Sequence, residues 1–187
     1  MSGFTSSEKQ RLFSLFENVK GGVGDSGIQK TTNSDILLVD GLNTFIRSFM
    51  AVPSMNDDGM HIGGIAGFLK SIGYAIKLIN PTRVIVVFDG TGGSQKRRKL
   101  YPDYKKGRKT KIKFNRTYEE LSSSDLEQKN LQVELMRLVS YLEVLPVTVM
   151  AIDNIEADDT IAYLSEDTFK DSNVTIMSTD KDFLQLA

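Results

Sequence analysis

Four uninterrupted apolar runs punctuate the chain: "DILLVD" ending at Asp40, "RVIVVFD" ending at Asp89, the shorter "VTVMA" at 147–151, and "NVTIM", which opens the stretch "NVTIMSTDKD" leading to Asp180 and Asp182. The runs ending at Asp40 and Asp89 and the run "NVTIM" are continuous and rich in β-branched residues, the pattern of strands covered on both faces in a parallel sheet. Helical periodicity fills the intervals. Ile62, Ile65, Leu69, Ile72, Ile76 and Ile79 recur at three-four spacing and predict a helix that Pro81 stops. Ser124 and Glu127 have the spacing of a capping box ahead of Leu131, Leu135, Leu138 and Leu142. Ala157, Ile161 and Leu164 predict a further short helix after Glu156.

Strands alternating with helices predict an α/β fold, a mainly parallel sheet covered by helices. Ligands of such sheets gather outside the carboxyl ends of the strands. Seven carboxylates belong at that edge: Asp40, Asp89, Glu156, Asp158, Asp159, Asp180 and Asp182. One Asp after a strand is ordinarily a helix N-cap, and acids in a first helical turn offset the helix dipole. Four segments doing so together exceed what the fold needs and point to a metal site. "IEADDTIA", residues 155–162, sharpens the point, because it holds three acids and no Lys or Arg of its own. Like charges about 4 Å apart repel by about 4 kcal/mol at an effective dielectric near 20, so a cation is expected there.

Composition narrows the chemistry. A chain of 187 residues with 40% hydrophobic content suits one domain with a real core. There is no Cys, which excludes disulfides, thiolate nucleophiles and cysteine zinc sites. The single histidine, His61, reads as a polar loop residue and cannot build a histidine metal site alone. Carboxylate oxygens are left as ligands, and they suit Mg²⁺ or Mn²⁺. No apolar run reaches the twenty or so residues that span a bilayer, and the first residues lack the apolar core of a secretory signal, so a soluble, cytoplasmic protein is expected. Residues 1–34 read as an appendage: Phe13, Leu15, Phe16 and Val19 on a short amphipathic helix, then the linker "GGVGDSGIQKTTNS".

The net charge of -1 conceals a strong separation. Ser94 to Arg116, "SQKRRKLYPDYKKGRKTKIKFNR", holds eleven of the 23 basic residues and one acid, about +10, which leaves about -11 elsewhere. A basic segment interleaved with Tyr101, Tyr104 and Phe114 is the footprint expected of a nucleic-acid backbone partner, with aromatic rings available to stack on bases. A solvated charged loop is the plainer alternative.

"ILLVDGLNTFIRSF", "GIAGFLKSI", "VIVVFDG", "RRKLYPDYKKGR", "NIEADDTIAYL" and "IMSTDKDFLQL" resemble, in order and spacing, the nuclease domain of the 5′→3′ exonuclease and flap endonuclease family. The similarity runs from about Asp35 to Ala187. It implies a PIN-like, resolvase-like domain over 35–187 with a basic helical gateway or arch. It implies that Asp40, Asp89, Glu156, Asp158, Asp180 and Asp182 hold Mg²⁺, two ions with Mn²⁺ able to substitute, and that Asp159 matches a further acidic position. Arg97, Lys105 and Arg108 match gateway positions that hold the scissile phosphate, with Arg98 the alternative to Arg97 after a one-residue slip. Tyr104 matches an aromatic that stacks on the terminal base. Gly41 and Asn43 are placed in the loop after the first strand, where DNA would approach. The implied reaction is hydrolysis of phosphodiesters in DNA with 5′ ends or flaps, or in RNA–DNA primers, during replication or repair.

Family members continue past "DKDFLQL" into a helical region that grips duplex DNA; here that region is expected to be absent or supplied by a separate polypeptide. Two other functions stay open: a PIN-like ribonuclease, which shares the carboxylates but has no use for a gateway, and a nucleic-acid-binding fragment unable to complete the reaction.

Overall fold

A computed structural model describes residues 31–103 and 124–186, apart from the side chains of Lys96, Leu100 and Ser124. The amphipathic helix expected near Phe13 and the gateway residues Tyr104, Lys105, Arg108 and Phe114 lie outside the described residues.

The four apolar runs form one parallel sheet: β1 (Asp35–Asp40), β2 (Arg83–Asp89), β3 (Thr148–Ile152) and β4 (Asn173–Met177), in the order β3-β2-β1-β4. β1 is central, and Ile36, Leu37, Leu38 and Val39 are all fully buried. That is why its sequence does not alternate: Leu37 and Val39 enter the core on one face, Ile36 and Leu38 the core on the other. Full burial of each such side chain contributes about 1.5–3 kcal/mol.

Among the described residues five α-helices accompany the strands: α1 (Gly41–Ala51), α2 (Gly63–Ile79), α3 (Gln95–Leu100), α4 (Ser124–Leu142) and α5 (Ala157–Tyr163). α1, α2 and α4 pack on the face of Leu37 and Val39, with Phe45, Phe49, Phe68, Ile72, Leu138 and Leu142 filling the layer. α5 covers the other face through Ala157 and Ile161, followed by Leu164 in a short π turn, Leu164–Thr168. α2 ends at Asn80 in the left-handed conformation, φ 49°, one residue before the Pro81 that cannot continue it.

One expectation is corrected. Gly41 and Asn43 are not in a loop: they form the first turn of α1, which the sequence reading missed. A Cβ on Gly41 would stand 2.6 Å from the Phe88 ring, so glycine lets α1 pack against β2. His61 lies in the α1–α2 connection, as expected of a loop residue, but it is buried there. It is 2% exposed, with Nδ1 2.8 Å from Glu134 Oε1 and Nε2 3.0 Å from the Val52 carbonyl, and these hydrogen-bond partners are what allow a polar ring into the core.

Candidate metal centre

The parallel arrangement puts the carboxyl ends of β1, β2 and β4 side by side, and each delivers carboxylates there. Asp40 closes β1 and caps α1: its Oδ1 accepts the Asn43 N–H at 3.2 Å and its Oδ2 accepts the Ser178 hydroxyl at 2.9 Å. Burial raises the Asp40 pKa above the ordinary carboxylate value, the two hydrogen bonds pull it back, and the charges of Asp89 and Asp180 raise it further. Asp89 closes β2, and its Oδ1 accepts the Ala157 N–H at 2.8 Å, which fixes the start of α5 beside it. After β4, Asp180 Oδ1 accepts the Asp182 N–H at 3.1 Å, folding these two acids into one turn.

α5 brings the acids of "IEADD". Glu156 precedes the helix and is buried, Asp158 is half-buried, and Asp159 is exposed. One oxygen from each lies within 4.8 Å of the others. Six of the seven predicted carboxylates, Asp40, Asp89, Glu156, Asp158, Asp180 and Asp182, line one open concavity of about 270 Å³; Asp159 joins through its neighbours rather than through that wall.

The cation that "IEADDTIA" lacks comes from α3. Arg97 Nη1 lies 2.6 Å from Glu156 Oε2 and 3.2 Å from Asp158 Oδ2, while Nη2 contacts Asp159 Oδ1. Its root is pinned: the Gly90 N–H donates to the Ile155 carbonyl at 3.1 Å and the Asn154 N–H to the Thr91 carbonyl at 2.9 Å. A Cβ on Gly90 would stand 1.7 Å from the Ile152 carbonyl oxygen, so only glycine lets these loops touch. Arg98, next to Arg97 on α3, is exposed, and among the described contacts it is Arg97 that reaches the acids.

Sequence reasoning missed two features of this site. Asn43 Oδ1 accepts both the N–H and the hydroxyl of Thr179, at 3.2 and 2.8 Å, tying α1 to the turn that bears Asp180. Arg47, one helical turn after Asn43, lines the concavity as its basic wall. Recognising α1 as a helix would have placed Arg47 on the face of Asn43.

The family model for the 5′-3′ exonuclease, N-terminal resolvase-like domain matches residues 35–187. The chain belongs to this family. Among relatives, it is 33% identical over 153 residues to a 5′-3′ exonuclease of Aquifex aeolicus, covering 81% of this chain and 47% of that protein. It is 34% identical over 151 residues to the flap endonuclease Xni of Shewanella sp. strain MR-4, covering 80% and 50%, and 31% identical over 154 residues to DNA polymerase I of Bacillus caldotenax, covering 81% and 16%. The chain thus spans about half the length of the exonuclease and flap endonuclease relatives. Of solved structures, the phage T5 5′-exonuclease with bound zinc superposes with a TM-score of 0.57 at 23% identity, over 81% of this chain and 51% of that one. This likeness establishes the resolvase-like fold. Among the described residues no helix is long and apolar enough to cross a membrane.

Proposed function

We propose that this chain carries the metal-binding part of a divalent-metal-dependent 5′→3′ exonuclease and flap endonuclease that hydrolyses DNA phosphodiesters in the cytoplasm, where replication and repair meet nicks, flaps and RNA–DNA primers. The observation that carries the reading is the convergence of six carboxylates from four separate segments on one concavity at the strand ends. The donor set fits the ion: all-oxygen, largely anionic, with no thiolate or imidazole among the lining residues, as suits Mg²⁺ with Mn²⁺ as substitute. The names of the relatives, exonuclease, flap endonuclease and DNA polymerase I, support DNA as the polymer.

In this reading Asp40, Asp89, Glu156, Asp158, Asp180 and Asp182 hold the metal, directly or through water, with Asp159 at the margin. A pair of divalent ions, when bound, supplies an activated water and neutralises charge on the phosphoryl and leaving oxygens. The side chains then need to orient and to stabilise, and none needs to act as a nucleophile. Arg97, Lys105 and Arg108 offset the phosphate charge from the opposite side, Arg98 and Asn43 line the DNA approach beside Gly41, and Tyr104 stacks on the terminal base.

The test is cleavage of 5′-flap, nicked and single-stranded DNA, with single-stranded RNA alongside, by the chain alone and with the C-terminal half of the Aquifex relative supplied in trans. Cleavage of 5′-flap DNA in Mg²⁺, abolished by EDTA and reduced by orders of magnitude in Asp158→Asn, is expected. Preferential cleavage of RNA would favour a PIN-like ribonuclease, and metal-independent binding without cleavage in every mixture would sink the nuclease reading.

A further inference from the structure

We infer that Arg97 is an internal competitor for the metal site: its guanidinium and a divalent ion claim the same three carboxylates, and loading the ion frees Arg97 to hold a phosphate. The inference rests on the metal-binding reading above and adds a coupling between the two ligands. Arg97 Nη1 is held by Glu156 Oε2 and Asp158 Oδ2, and Nη2 by Asp159 Oδ1. The three acids offer oxygens within 4.8 Å of one another, the separation at which oxygens about 2.0–2.6 Å from a common ion stand. An ion seated among them draws the carboxylates on which the guanidinium now rests and places a second positive charge against it. Both effects drive Arg97 outward.

Displacement need not unravel the surrounding backbone. The loop before α3 is fastened to residues 154 and 155 by main-chain hydrogen bonds that involve no side chain of the cluster. Arg97 is about a third exposed, so its guanidinium can leave the acids by side-chain rotation while the loop root stays in place. Without the ion, Arg97 is neutralised by three acids and the edge of the site repels an anion. With it, the same arginine becomes a donor to a phosphate oxygen. Metal and phosphodiester therefore bind with positive linkage, and by reciprocity DNA tightens the metal as much as the metal tightens DNA.

Calorimetric titration of Mn²⁺ into the wild-type chain, Arg97→Gln and Arg98→Gln tests this. Removing the competitor should tighten Mn²⁺ binding roughly tenfold in Arg97→Gln, within the usual range of coupling between sites. Arg98→Gln removes an equal charge one residue away without touching the three contacts, and should change affinity far less. Arg97→Lys keeps the charge but not the two-nitrogen fork, so it should also bind Mn²⁺ more tightly than wild type, and it serves where Arg97→Gln fails to fold. Unchanged or weaker Mn²⁺ binding in both Arg97 variants overturns the competition while leaving the metal site standing. Equal tightening in Arg98→Gln overturns it as well, since the effect would then be one of net charge. No binding to any of the proteins overturns the metal reading, and the competition with it.

Discussion

Asp40 serves two demands that conflict. As the last residue of β1 and the cap of α1 it must sit partly out of water, held by Asn43 and Ser178; as a member of the acidic cluster it faces Asp89 and Asp180. Burial and like charge both favour its protonated form, so its pKa is raised on folding. A raised carboxyl pKa means that the folded state binds the proton more tightly than the unfolded state, and the stability so gained is present at low pH and lost as pH rises through the folded value. In EDTA, the melting temperature of wild type relative to Asp40→Asn should therefore fall as pH climbs from the ordinary carboxylate value through the raised one, leaving Asp40→Asn the more stable protein at neutral pH. A pH series of calorimetric melts checks this, and parallel curves would refute it. Excess Mg²⁺ should reverse the order, because a ligand that binds only the native state stabilises by mass action and Asp40→Asn weakens that ligand.

At the scale of elements, the α1–α2 connection is riveted to α4 by Glu134. Its Oε1 accepts from His61 Nδ1 and from Asn130 Nδ2 at 2.8 and 2.9 Å, and its Oε2 accepts the Ile65 N–H at 3.1 Å. Glu134→Ala would remove the carboxylate acceptor of two buried donors, His61 Nδ1 and the Ile65 N–H, at about 1–3 kcal/mol each where water cannot enter. A loss of roughly 2–4 kcal/mol in total, or on the order of 10 °C in Tm, is expected, with Mn²⁺ affinity unchanged because none of these groups lines the concavity. Such a pairing was illegible in the sequence: a single histidine forms no pattern, and its partner lies 73 residues away. β1 and β2 were legible because burial on both faces writes itself as an unbroken apolar run. α1 was not, since "GLNT" has the composition of a loop and its fully buried aromatics, Phe45 and Phe49, are only two. The acids could be located because each follows a strand, and their need for a cation could be stated. Which of eleven basic residues in the segment would answer it was decided by the Gly90–Ile155 contact, which depends on the fold.

Over the whole molecule, charge is sorted: about +10 between Ser94 and Arg116, about -11 in the remainder. If that segment follows a DNA backbone, affinity should fall steeply with salt, and each phosphate contact removed should flatten the slope of log K against log[salt] by about 0.7–0.9. Lys105→Ala with Arg108→Ala should reduce both affinity and slope, whereas Tyr104→Ala, which removes stacking and no counterion, should lower affinity at every salt concentration with the slope intact. Fluorescence anisotropy with labelled single-stranded DNA at several salt concentrations separates the two, and a double variant indistinguishable from wild type would return the segment to a solvated loop. The sheet order β3-β2-β1-β4 has a further consequence, in time rather than in space. β1 lies between β2 and β4, and the bond from Ser178 to Asp40 joins residues 138 apart. At synthesis rates of about 5–20 residues per second, Asp40 leaves the ribosome on the order of ten seconds before Asp180 exists. The nascent chain thus carries an unfinished acid cluster until residues 173–182 have been made, and the cluster closes only when β4 pairs with β1.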